Sequence, residues 1–194
     1  MKPLPVTLDP NALVGIETVR RLVLDDETDT SKDDILTELI NGCTGAIEEF
    51  CSRRFKSRTY TDETHSGNGG KTLCLKHYPV TAIASVRVLD DNDEADEIVV
   101  TRKDLDAGIL YYPTGTSPAC WPKGDLNILV TYTAGFETIP NNLSLACALA
   151  VEFYYKLSVA DFSTVFGEGN VTIRPEAFPV KVKNLIAPYR RVRV

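Results

Sequence analysis

The sequence predicts an α+β chain: a helical bundle into which an antiparallel β-module is inserted. Three observations lead there. Apolar residues recur at three- and four-residue steps over about 32–55, which marks one face of a long helix. The period then changes to two, with glycine and proline at each break, over about 56–135, as in short strands joined by turns. A helical and almost wholly apolar segment follows at about 140–157, before a short C-terminal helix. The expected organisation is an N-terminal helical part (1–55), the β-module (56–135) and a C-terminal helical part with a basic tail (136–194), the two helical parts packing as one domain.

Asn11 to Leu24 reads as a short first helix, with Leu13, Ile16, Val19, Leu22 and Val23 on one side. It runs into an acidic linker, DDETDTSKDD. Ser31 is placed to cap the next helix, and Asp33 and Asp34 in its first turn complement the helix dipole. That helix carries the stripe Ile35, Leu36, Leu39, Ile40, Cys43, Ala46, Ile47, Phe50 and Cys51. Gly42 and Gly45 lower its propensity but let another backbone come close. Arg53 and Arg54 suit its C-terminal end.

The strands are expected at Arg58–Thr61, Thr72–Leu75, Ala82–Leu89, Ile98–Thr101, Ile109–Tyr112 and Asn127–Tyr132, forming an antiparallel sheet or small barrel. After Ile139-Pro140 the segment LSLACALAVEFYYKL is apolar on nearly every side. Such a helix is either wholly internal or shared between its own core and a neighbour. A loop or short hairpin is expected over 161–174. The last helix begins near Pro179 and ends before Pro188, which cannot continue it.

Composition narrows the function. The 194 residues carry a formal net charge of -6, the reverse of the basic footprint of a general nucleic-acid binder. No apolar run approaches the roughly 20 residues that span a bilayer, and MKPLPVTLDP has no secretory h-region. The five cysteines are scattered without metal-binding spacing, as expected of reduced, mostly buried thiols in a cytoplasmic compartment. No GxSxG, HExxH or P-loop is present, and GNGGKT lacks the Walker spacing. The sequence nominates no catalytic residue, no metal-ligand set and no cofactor. His65 and His77 flank the glycine-rich turn and read as surface or turn residues. The run Asp90–Glu97 lacks the glycine and distal glutamate of a calcium loop and reads as a solvated hairpin. Trp121, between two prolines, reads as a core plug under a loop. From residue 171 onward there are six basic side chains and one acidic one, and the tail ends in alternating Val192 and Val194, suited to docking on an acidic partner or its sheet edge.

Four blocks, taken together, carry a family likeness: DDILTELINGCTGAIEEFCSRRF, GNGGKTLCLKHYPVTAIASVRV, VTYTAGFETIPNNLSLACALAVEFYY and VKNLIAPYRRVR. In order and approximate spacing they resemble the head–tail connector (adaptor) proteins of tailed double-stranded DNA bacteriophages, from about Asn11 onward. The stretch Asp90–Asp125 is longer than the family pattern. The resemblance implies a structural virion protein without enzymatic activity, located in the neck after assembly in the host cytoplasm. It implies a ring of about twelve copies below the portal protein, extending the DNA channel and docking the next neck or tail component. DNA passes through without sequence-specific binding, and no membrane is involved.

Carried onto this chain, it makes Leu185, Ile186, Tyr189, Arg190, Arg191 and Arg193 candidate portal contacts. Gly42, Gly45, Leu145, Leu149 and Phe153 are the candidate subunit interface. An acidic lumen repels duplex phosphates and keeps DNA mobile, so Asp25, Asp26, Asp29, Asp91, Asp93 and Glu94 are candidate channel-facing carboxylates. Two other readings stand beside this one: a stopper or tail-completion protein of the same neck, and a small enzyme with a site in the β-module around His65, His77 and the acidic turn.

Overall fold

The computed structural model describes residues 6–90, 95–113, 120–160 and 178–191. It is α+β, as the sequence predicts, and divides into two compact units. The chain leaves the helical unit after Lys56 and returns to it at Thr138, with the β-unit formed by Ser57–Glu137.

In the helical unit, α1 (Ile16–Val23), α2 (Asp33–Cys51) and α4 (Val180–Ile186) pack on α3 (Asn141–Ala160). Helix α1 is shorter than expected. Asp9 Oδ1 accepts the Asn11 backbone N–H at 2.7 Å, a local turn that competes with helix, and Leu13 and Val14 are buried ahead of the first helical residue. Ser31 is not the cap of α2. Its own N–H donates to Asp29 Oδ1 at 2.8 Å, and Lys32 occupies the cap position without a side-chain bond. The linker is held instead by Arg20, whose guanidinium bonds both Asp33 oxygens and the Glu27 carbonyl. Helix α2 ends at Ser52, which is left-handed at φ 51 and donates its N–H back to Glu48 and Glu49, so Arg53 and Arg54 lie beyond its last turn. The core between the helices is Leu36, Leu39, Ile40, Cys43 and Ile47 of α2 against Leu143, Ala146, Cys147, Ala150, Val151 and Tyr154 of α3, closed by Val182 and Ile186 of α4.

The β-unit holds two antiparallel sheets. One has the order β1 (Arg58–Gly67), β7 (Gly124–Ala134), β3 (Val80–Leu89), β4 (Ala95–Glu97). The other has the order β2 (Thr72–Cys74), β6 (Ile109–Tyr111), β5 (Lys103–Asp104). Strand β7 buries Ile128, Val130, Tyr132 and Ala134 in strict alternation, the period-two signature of a half-covered strand. These side chains share one core with Leu73, Leu75, Val86, Leu110 and Trp121. Trp121 is fully buried, edge-on to Tyr112 at 5.2 Å. The sequence's strand at 98–101 is absent. Ile98 makes a single ladder-like bond to the Val86 carbonyl, and pairing with β3 falls instead on Ala95–Glu97.

Candidate functional site

The constellation most remote from the sequence reading lies on β1. This strand continues six residues past its expected end, through two bulges, at Tyr60/Glu63 and His65/Gly67. The first bulge sets Asp62 at φ 51, where it bonds Arg87 and accepts from Thr131 Oγ1. It also turns Glu63 toward the interior. Glu63 Oε1 accepts the Tyr132 hydroxyl at 3.0 Å and lies 2.9 Å from His65 Nε2. Its Oε2 is 3.5 Å from His77 Nε2. Tyr132 Oη in turn accepts the His77 backbone N–H, and the His77 ring stacks on Tyr60 at 3.9 Å.

His65 is therefore not the surface or turn residue the sequence suggests but a buried strand residue, whereas His77 does lie in a turn, the partly exposed β2–β3 loop. His65 is 6% exposed, and both bracket one carboxylate. Burial pulls the Glu63 carboxyl upward, but the polar contacts from His65 and Tyr132 and the charges of both imidazoles together hold it below its ordinary value. Burial, and then Glu63, raise the Tyr132 phenol. These contacts join β1, β7 and the β2–β3 loop within one unit, so the cluster reads as a clamp that fastens that loop to the sheet. Among the described residues no three His, Cys, Asp or Glu side chains are arranged to hold a metal ion.

The candidate interface residues fall on two faces of the helical unit. On α3, Leu145 is 47% exposed, Phe153 37% and Leu157 38%, with Leu149 partly covered between them. They recur every fourth residue and form a ridge on the side opposite Ala146, Cys147 and Ala150. Leu149 and Phe153 also line a shallow cleft of about 240 Å³ with Glu152, Lys156, Pro179, Lys181 and Val182. On α2, Gly45 is exposed and Gly42 partly so.

The candidate portal residues separate. Ile186 is a correction: its side chain is fully buried in the helical core and is not offered to a partner. Leu185 is partly exposed. Beyond α4 a short 3-10 turn, Ala187–Tyr189, leads the tail across the C-terminal end of α2. Tyr189 meets Phe55 edge-on at 6.0 Å, Arg190 lies over the Phe50 ring at 5.5 Å, and the Arg191 N–H donates to the Cys51 carbonyl at 2.9 Å. Burial pushes the Cys51 thiol up to about 11, so it stays protonated under this strap. Arg193 lies outside the described residues.

Of the candidate channel carboxylates, Asp25 and Asp26 are exposed and Asp29 partly so. Hydrogen bonds from Thr28 to Asp26 and from Ser31 to Asp29 hold both carboxyls below their ordinary value. These two carboxyls are thus ionised at neutral pH. Asp91, Asp93 and Glu94 lie outside the described residues. The thiols divide too: Cys43, Cys51 and Cys147 are buried, Cys74 is exposed and Cys120 intermediate.

Comparison with known proteins gives this geometry its context. Residues 12–192 match the family model of the head completion protein. The chain belongs to the head completion protein family. No curated protein matches this head completion protein. Solved structures of similar fold include the neck of an empty gene transfer agent (GTA) particle computed with C6 symmetry, at TM-score 0.64 and 21% identity. The neck of a native GTA particle computed with C12 symmetry (0.62, 21%) and the virion of a native GTA particle (0.63, 22%) are also similar. Each alignment covers 100% of this chain and 97% of the other.

Proposed function

We propose that this head completion protein acts as an adaptor without enzymatic activity: a ring of about twelve copies bound beneath a portal. The helical unit forms the ring body, and the β-unit is presented to the next neck or tail component. The observation that carries this reading is the exposed ridge Leu145–Leu149–Phe153–Leu157 on a helix whose other side is fully buried. An isolated chain gains nothing by exposing Leu145, Phe153 and Leu157 in register about a partly covered Leu149, and their burial against a neighbour is worth about 25 cal/mol per Å² of apolar area. The C12-symmetric neck in which a similar fold occurs supports the copy number.

The basic tail is the portal contact in this reading. Tyr189, Arg190 and Arg191 are its anchored root, Leu185 borders it, and Arg193 belongs to the part that reaches the partner. Asp25, Asp26 and Asp29 present fixed negative charge to passing DNA, so phosphates meet no cationic grip. DNA slides rather than binds. Native mass measurement with and without isolated portal tests the reading. A portal-bound multimer of about twelve chains supports it; a chain that remains monomeric at every concentration, and that isolated portal fails to capture, refutes it.

A further inference from the structure

The exposed faces of α2 and α3 differ in a way that specifies how copies meet. Helix α2 contains five carboxylates and no basic side chain. Asp34, Glu38, Gly45 and Glu49 are exposed along one stripe, with Ile35 beside them. A Cβ placed at Gly45 would meet no atom within 4 Å, so nothing in the chain itself requires glycine there. Leaving it unsubstituted costs the helix about 1 kcal/mol relative to alanine. The α3 ridge, by contrast, is bordered by two exposed lysines around the cleft: Lys156, which pairs with the part-buried Glu152 at 2.5 Å, and Lys181 of α4.

At 1.5 Å per residue the ridge from Leu145 to Leu157 is about 18 Å long and the α2 stripe from Asp34 to Glu49 about 22 Å. The two match in length, oppose one another in sign of charge and complement one another in relief, a row of large side chains facing a helix notched by glycine.

We propose that the α3 ridge with its Lys156 and Lys181 border docks into the Gly45-notched acidic face of α2 on a second copy of this chain. The contact is heterologous: each copy offers one half to each of two neighbours. A two-fold contact of like faces would place Asp34, Glu38 and Glu49 against their own counterparts, or lysine against lysine, which is repulsive. Head-to-tail contacts of this kind generate closed rings when the rotation closes. The inference rests on the adaptor reading above and names the surface through which that ring is built.

The test uses the full chain in a Cys74→Ser, Cys120→Ser background. Gly45→Cys and Phe153→Cys are introduced singly and together, and the protein is mildly oxidised in its assembled state. The double variant is expected to give a ladder of covalent dimers, trimers and higher species on a denaturing gel, and the single variants none. Dimers from either single variant would establish a like-face contact and overturn the proposal. So would the absence of a ladder from a double variant that still forms rings by electron microscopy; the adaptor reading would then survive with a different interface. If the unaltered chain forms no multimer with or without portal, both fail together.

A second arm reverses charge. Glu38→Lys with Glu49→Lys should weaken assembly at least about tenfold at low salt, and adding Lys156→Glu with Lys181→Glu should restore most of it. Assembly unchanged by the first pair, or not recovered by the second, contradicts the pairing of these faces. Circular dichroism of each variant is expected to report an intact fold, since these positions are exposed in the single chain apart from the intermediate Cys120.

Discussion

A Cβ added at Gly67 would lie 1.7 Å from the Pro122 carbonyl oxygen, whereas one added at Gly45 would meet open space. Gly67→Ala should therefore destabilise the β-unit by about 3 kcal/mol, because backbone must move, while Gly45→Ala should stabilise the isolated chain by about 1 kcal/mol. Chemical denaturation of the two variants checks both signs. Glu63 makes a separate prediction. Its folded pKa lies below the ordinary 4.5, so the stability that it contributes is fully present above that value and is lost as pH falls through the folded one. Acid titration followed by near-ultraviolet circular dichroism should show the β-unit loosening once pH falls below 4.5. Glu63→Gln should be less stable at neutral pH and lose that part of the acid dependence. An unchanged acid transition in Glu63→Gln would rule out the clamp. Only the nearness of His65 and His77, either side of the glycine-rich turn, was legible in the sequence; that Glu63 lies between them was not, because it depends on a bulge at Tyr60/Glu63 that no side-chain pattern announces.

At the level of elements, the helices were legible because each writes its burial as a stripe. Helix α2 and helix α3 fall close to their expected bounds, and the all-round apolar character of α3 translates into one side in the core and one side exposed. Short strands were less so. β4 and β5 are edge pieces of three and two residues, defined by which backbone groups find partners rather than by any side-chain pattern, and the apolar run at 98–101 consequently misled. Ile186 was misplaced for a related reason. The seven residues of α4 are too few for periodicity to tell the core side from the free side. Two substitutions separate those sides. Ile186→Ala should cost the fold about 2–5 kcal/mol, whereas Phe153→Asp should leave chain stability within about 0.5 kcal/mol yet abolish assembly. The tail divides similarly. Removing residues 192–194 should weaken portal capture with the fold intact, but truncation after Pro188 also strips Tyr189 from Phe55 and the Arg191 bond to Cys51, and should lower stability by about 1–2 kcal/mol.

For the whole molecule, the division of charge is the property that ties fold to function. An overall charge of -6 coexists with a local excess of base on α4 and the tail, where Lys181, Lys183, Arg190, Arg191 and Arg193 stand with no acidic residue among residues 178–194; in the proposed reading the first spares DNA and the second meets the portal and a neighbouring copy. Such a protein has its apolar ridge exposed until copies come together, so its assembly should be concentration-dependent and should weaken as salt screens the acidic and basic faces. The most direct measurement is electron microscopy of the chain mixed with isolated portal. Rings of about twelve copies seated on one end of the portal, with the helical unit forming the ring wall, are the predicted result; portals that remain bare beside a monomeric chain would contradict it.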